Sequence, residues 1–197
     1  MTDVAIVGGG LAGLTSALAL AREGLSVTLF EKKAYPFHRV CGEYVSNEVL
    51  PFLQALGADP APLQPASISR FLLSSPKGNT LEAKLDMGGF GLSRYTFDNH
   101  LYEQAKQQGV TFRLQTAVQE VMFEGDAFRV QLSGGETITA RVVLGAYGKR
   151  ASLDRQLHRT FFRARSPYLG VKYHLHYDFP KDLIALHNFK DGYAGIS

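Results

Sequence analysis

The chain has 197 residues, 45% hydrophobic and 20% charged, with 20 Gly, 8 Pro, no Trp and a single Cys, an ordinary globular composition for about one to two domains that excludes a disordered tail, a collagen-like fibre and a disulfide scaffold. Cys41 alone allows no intramolecular disulfide, Cys-x-x-Cys redox pair or Cys-rich zinc module, which points to a reducing, cytoplasmic compartment. The 21 Lys and Arg against 18 Asp and Glu leave a net charge of +3, scattered without a basic run, so no nucleic-acid partner is expected. Asp3 stands where a signal peptide would be basic. Val4-Ala5-Ile6-Val7 is a short β-branched run of buried-strand type. Gly8-Gly9-Gly10-Leu11-Ala12-Gly13 then spells G-x-G-x-x-G, and Leu11, Leu14, Ala17, Leu18 and Ala21 recur at helical spacing up to a C-cap glycine, Gly24. Glycines, Arg22 and Glu23 interrupt this stretch well short of the roughly 20 apolar residues of a membrane span. Val27 to Phe30 is a second buried strand ending at Glu31, which completes a βαβ unit.

Each residue type in that unit has a physical task. Gly8 permits a tight turn, Gly10 lets the backbone approach a pyrophosphate, and Gly13 lets helix and strand pack closely. The helix start, with Leu11 and Ala12, offers free N–H groups and the positive end of a dipole to an anion. Glu31, 18 residues after Gly13, can accept hydrogen bonds from an adenosine ribose, and its charge would repel a 2′-phosphate, so NAD or FAD is favoured over NADP. Strand, glycines, helix, strand and acid in register are far more specific than the glycines alone.

Further along, Asn47 to Leu56 reads as a short helix and 58 to 65 as a proline-rich loop. Ile68 to Ser74 and Thr80 to Leu85 read as strands about a Pro76-Lys77-Gly78-Asn79 turn, and Phe97 to Gln108 as an amphipathic helix. Strands follow over Thr111 to Gln115, Ala117 to Glu124, Ala127 to Ser133 and Thr137 to Ala140, then a buried one over Arg141 to Leu144. Tyr168 to Tyr177 alternates apolar with polar residues and is expected to open a second, antiparallel sheet. His174 and His176 lie on one face of that segment, but no carboxylate or cysteine completes a ligand spacing, so no metal is expected. Ser152 lacks the G-x-S-x-G surroundings of a hydrolase nucleophile.

Glu31-Lys32-Lys33, Pro36 and Arg39-Val40-Cys41-Gly42-Glu43-Tyr44-Val45-Ser46 resemble the flavoproteins of the geranylgeranyl reductase group. These sit within the wider p-hydroxybenzoate-hydroxylase-like class of FAD enzymes, which includes flavin-dependent halogenases and aromatic monooxygenases. Arg94-Tyr95-Thr96-Phe97-Asp98 with Leu101 is similar to the class's second FAD-contacting stretch, R-x-x-F-D-x-x-L. Val142 to Arg150 is similar to a later strand and turn, with Tyr147 where the class usually has Asp.

The resemblance implies an α/β fold: a Rossmann-like FAD-binding domain of three-layer ββα type with a β-meander, discontinuous over 1–65 and 94–155. It further implies part of a substrate-side antiparallel sheet over 66–93 and 156–197. Implied cofactor contacts are Gly8, Gly10, Leu11, Ala12, Gly13, Glu31, Lys32, Cys41, Gly42, Arg94 and Val118, with Ala117 beside it. The implied activity is FAD-dependent oxidation or reduction of a small apolar, isoprenoid-type substrate, with NAD(P)H as a candidate electron donor and peripheral membrane contact allowed by such a substrate. An aromatic monooxygenase is the alternative within the class. The halogenase branch carries a Trp-x-Trp motif that this Trp-free sequence lacks. The class's G-D-A stretch, whose Asp contacts the flavin ribityl-phosphate region, is implied beyond residue 197, so the sequence is expected to be the N-terminal portion of a longer flavoprotein, inactive and with weak or no FAD occupancy alone. An NAD-binding dehydrogenase domain and a non-catalytic Rossmann module stay open, and no residue is assigned to catalysis.

Overall fold

The computed structural model describes residues 1–149, 152–163 and 167–197. In chain order its elements are β1 (Thr2–Val7), α1 (Leu11–Arg22), β2 (Val27–Glu31), β3 (Tyr44–Ser46), α2 (Leu50–Ala55), β4 (Ala66–Ser74), β5 (Thr80–Gly91), α3 (Arg94–Gln107), β6 (Thr111–Leu114), β7 (Val118–Glu124), β8 (Ala127–Leu132), β9 (Thr137–Gly145), α4 (Ser152–Gln156), β10 (Leu183–Phe189) and β11 (Gly192–Ile196). The chain forms two compact units, one from Met1–Phe37 and Asp98–Tyr168, the other from His38–Phe97 and Leu169–Ser197.

The first unit holds a six-stranded sheet in the order β6-β2-β1-β9-β8-β7. β1 is central, parallel to β2 on one side and to β9 on the other, which is why its Val4-Ala5-Ile6-Val7 run is apolar on both faces and buried. β2 pairs in parallel with β6, and β7, β8 and β9 form an antiparallel meander. A cluster of Ala5, Val7, Phe30, Val118, Val130, Leu132, Ala140 and Leu153 fills one side of this sheet. The sequence separates Thr137 to Ala140 from Arg141 to Leu144, yet the two form one strand, β9, and its second half is not buried: Val142 is 47% exposed. Pairing with β1 through Val4↔Val142 and Ile6↔Leu144 fixes the strand there without requiring both faces to be covered.

Both long helices end on signals visible in the sequence. After α1, Gly24 adopts a φ of 77° and Leu25 donates back to Leu20 O at 3.2 Å; after α3, Gly109 and the Val110 to Ala105 O bond of 3.0 Å do the same. These are Schellman caps, which satisfy carbonyls that the last turn leaves open. α3 begins three residues earlier than Phe97 because Ser93 caps it, its Oγ accepting the Thr96 N–H at 3.2 Å.

The second unit holds a five-stranded sheet in the order β11-β10-β4-β5-β3. The β4–β5 hairpin turns at Gly78, with Ser75 N–H donating to Asn79 O at 2.8 Å. β5 runs on to Gly91 rather than ending at Leu85, because its far end is paired on both edges, with β3 through Tyr44↔Gly91 and Ser46↔Gly89 and with β4 through Ala66↔Gly91 and Ile68↔Gly89. The Tyr44 ring lies where a side chain at Gly89 would stand, so a glycine-rich stretch becomes a strand through tertiary pairing. Over Tyr168 to Tyr177 the structure departs from the sequence reading: this stretch is in no strand. The alternation exists, but no strand of the sheet pairs with it, and Tyr173, Leu175 and Tyr177 are each 78% exposed.

Candidate functional site

The β1–α1 turn is the most constrained feature of the first unit. Gly8 has a φ of 106°, and its N–H donates to Phe30 O at 2.8 Å, which binds the turn to the end of β2. Its position admits no side chain, since a Cβ would come within 2.5 Å of Ala146 O. Gly13, buried one helical turn in, faces the turn so closely that a Cβ would overlap Gly8 O. Helix and strand therefore approach as closely as a dinucleotide fold requires. Gly10 is the N-cap of α1, extended and offering no side-chain cap. The first-turn N–H groups of Leu11, Ala12 and Gly13 precede the first i to i−4 bond, from Leu14 to Gly10 O at 2.9 Å, so they lack an intrahelical acceptor and sit at the positive end of the helix dipole.

Glu31 closes this turn from the other side. It is only 4% exposed, and its carboxylate is held by backbone donors, Gly9 N–H to Oε2 at 3.0 Å and Lys33 N–H to Oε1 at 3.1 Å. The glycine cradle, the uncapped helix start and this carboxylate are a donor and acceptor set that suits the diphosphate and ribose of a dinucleotide. Lys32 follows as an exposed side chain. Val118 opens β7 with its side chain in the core cluster, and the neighbouring Ala117 exchanges bonds with Ser133, N–H to Oγ at 3.0 Å and O from the Ser133 N–H at 2.7 Å.

Cys41, Gly42 and Arg94 belong to the second unit. There the sequence reading missed an organising residue, Glu43. It occupies the left-handed region at φ 59°, where a residue other than glycine is uncommon, and side-chain contacts hold it there. Its Oε1 accepts the Arg94 N–H at 2.8 Å and pairs with Lys172 Nζ, while Oε2 lies 3.6 Å from His174 Nε2. The Glu43 N–H donates to Cys41 Sγ at 3.4 Å. His38 stacks on Tyr95 at 4.7 Å and meets the edge of His174 at 5.0 Å. Within this unit the Cys41 loop, the start of α3 and the 172–174 segment are thus tied through one carboxylate, a link that no local pattern carries.

At the end of β9 the turn holds Tyr147, whose hydroxyl donates to Asp154 Oδ1 at 3.2 Å. Burial, and then the charge and hydrogen bond of Asp154, push this phenol above its ordinary value. Arg150, the last residue of the motif quoted there, lies outside the described residues. Among the described residues no group of three or more His, Cys, Asp or Glu is placed to hold a metal ion, and no helix is long and apolar enough to cross a membrane.

A family model described as an FAD binding domain matches residues 1–171. The chain is 32% identical over 162 residues to a digeranylgeranylglycerophospholipid reductase of Methanosphaerula palustris, covering 78% of this chain and 40% of that protein. It is 27% identical to the ubiquinone hydroxylase UbiM of Neisseria meningitidis, over 90% of this chain and 44% of that protein. Among solved structures, the halogenase PltM in complex with phloroglucinol and FAD superposes with a TM-score of 0.74 at 18% identity, over 98% of this chain and 47% of that one. This chain belongs to the FAD-binding domain family, whose members are flavoprotein oxidoreductases, monooxygenases and halogenases with FAD as cofactor. It spans about 40% of the length of the curated reductases it matches.

Proposed function

We propose that this chain is the nucleotide-binding portion of an FAD-dependent oxidoreductase of geranylgeranyl-reductase type, acting on a small apolar, isoprenoid-like substrate. The observation that carries the reading is the closed β1–α1–β2 turn, in which a buried Glu31 carboxylate and an uncapped helix start flank the same glycines. FAD, when bound, supplies two-electron redox chemistry at its isoalloxazine ring. The chain's own residues bind and orient it: the N–H groups from Gly10 to Gly13 take the diphosphate, and Glu31 accepts the adenosine ribose hydroxyls. We assign Lys32, Cys41, Gly42, Arg94 and the Val118 backbone as further contacts on the strength of the motif resemblance, with Arg94 neutralising diphosphate charge. We further propose a cofactor domain over 1–65 and 94–155, interrupted and followed by substrate-side segments, on the strength of the same resemblance; the compact units themselves divide after Phe37, Phe97 and Tyr168. The substrate class draws its support from the 32% identity to the archaeal reductase. Aromatic hydroxylation is the second reading, favoured by the longer alignment with UbiM.

The test is a titration with FAD followed by flavin fluorescence, comparing the wild-type chain with Glu31→Ala and Glu31→Gln. Saturable binding that weakens about tenfold or more in Glu31→Ala, with Glu31→Gln between, is expected when a charged acceptor is lost. Equal affinity in all three would remove Glu31 from the site. No binding either by this chain or by a longer form reaching past the expected G-D-A stretch would leave the fold without the cofactor role. Reduction of an isoprenoid alkene, against oxygen-dependent hydroxylation of a phenol, separates the two substrate readings.

A further inference from the structure

Gly9 is held on both sides, through the two peptide groups that flank its Cα. Its N–H donates to Glu31 Oε2 at 3.0 Å, and its carbonyl accepts the hydroxyl of Tyr35 at 2.6 Å. A Cβ on Gly9 would overlap that hydroxyl, so the middle glycine of the Gly8-Gly9-Gly10 run, which the G-x-G-x-x-G pattern does not specify, is required by the phenol. The Tyr35 ring is itself fixed. It stacks on Tyr102 of α3 with centroids 4.6 Å apart and planes 18° apart, Tyr102 meets Phe112 of β6 edge-on at 4.6 Å, and Phe37 lies 5.4 Å away on the chain side. The phenol is therefore anchored by an aromatic ladder standing on two other elements of the same unit.

Gly9 immediately precedes Gly10, the N-cap of α1. Rotation of the Gly9–Gly10 peptide, whose carbonyl Tyr35 holds, would turn Gly10 and with it the first-turn donors of the helix. Glu31 holds only the preceding Gly8–Gly9 peptide, through the Gly9 N–H. We propose that Tyr35 is a positioning residue of the nucleotide turn: by holding the Gly9 carbonyl from the Tyr102 stack, its hydroxyl sets the direction of the N–H groups that receive the diphosphate. The role is one of preorganisation, lowering the ordering cost of binding, and Tyr35 acts through Gly9 rather than through the ligand. The inference rests on the proposed dinucleotide-binding function and extends it to a residue outside the motif.

Tyr35→Phe deletes the hydroxyl and keeps the ring in its stack. Binding of ADP and of adenosine is measured on the 197-residue chain by NMR chemical-shift titration, which reads weak as well as tight binding. The expected result is an ADP affinity about tenfold lower in Tyr35→Phe, the scale of one hydrogen bond, with adenosine affinity unchanged within about twofold, since only the diphosphate reads the helix N–H groups. Tyr102→Leu, which keeps the hydroxyl and removes its support, is expected to lower ADP affinity in the same selective way by a smaller factor. Equal losses for both ligands would mean a merely structural role, and no loss for ADP would remove Tyr35 from the turn; either overturns the proposal. Failure of the wild type to bind ADP would instead overturn the dinucleotide-binding reading beneath it.

Discussion

At Tyr147 the chain sets a phenol where the resembling flavoproteins carry a carboxylate, and the substitution brings its own partner. The hydroxyl donates to Asp154 Oδ1, and Asp154, 3% exposed, also pairs with Arg159 at 3.5 Å. Because burial and the Asp154 charge raise the phenol above its ordinary value near 10, the folded state holds its proton more tightly than the unfolded chain. The stability tied to this group is thus complete below about pH 10 and is lost as pH rises through the raised value. A tyrosinate absorbance titration of the wild type should show a late component that Tyr147→Phe lacks, and the variant should be about 1 kcal/mol less stable to urea at neutral pH because Asp154 loses a donor. Superposable titrations would show that the contact does not form in solution. Other single residues were equally beyond the sequence. Glu43 gives no local sign of a left-handed conformation, and Tyr35 is one aromatic among several until its hydroxyl is seen on Gly9.

Elements were more legible than their partners. α1 and α3 carry apolar periodicity with a glycine just past the end, and both end there. The apolar runs of β1 and β2 imply buried strands of a parallel sheet, and both have parallel neighbours on either side. What the sequence did not carry was pairing at a distance: the end of β5 is a strand because β3 and the start of β4 flank it, and among the described residues no strand pairs with 168–177. One long-range tie at the base of the βαβ unit makes a prediction at this scale. Asp3, at the start of β1, accepts the Ser26 N–H at 2.9 Å and the Ser26 hydroxyl at 2.6 Å, just before β2, and takes Arg141 Nη1 of β9 at 3.1 Å. The Ser26 bonds first, and then Arg141, hold its carboxyl down to about 2. A lowered acid stabilises above its unfolded value of 3.8 and ceases to do so as pH falls toward about 2. The urea midpoint of Asp3→Asn should therefore lie below that of wild type at pH 5 and approach it as the pH is lowered through this window. A gap that is independent of pH would mean that the carboxylate charge is not what ties the strands.

At the scale of the whole molecule, each unit is closed by strands far apart in the chain. Thr2 pairs with Ala140 in one sheet, and Arg70 with Leu183 in the other. Such closure explains why the N-terminal βαβ unit, all local, is the most readable part of the fold, whereas the second sheet emerges only when β10 returns to lie beside β4. It also makes that sheet depend on residues that no local element needs. Arg70 of β4 forks onto Asp182, just before β10, with Nε to Oδ2 at 2.7 Å and Nη2 to Oδ1 at 2.9 Å, and it reaches Glu82 of β5 at 2.7 Å. These groups are about half exposed, so the fork sets register more than it adds stability. The buried apolar side chains of these strands include Ile68, 3% exposed, and Leu183 and Ala185, 7% and 1% exposed. Ile68→Ala removes buried methyl groups from β4 at a cost of about 2–5 kcal/mol. If β10 is held chiefly by β4, hydrogen exchange of the β10 and β11 amides should accelerate together with those of β4, although the substitution lies more than 100 residues away in sequence. Continued protection of the β10–β11 hairpin in that variant would mean that it stands alone and that the sheet is not one cooperative element.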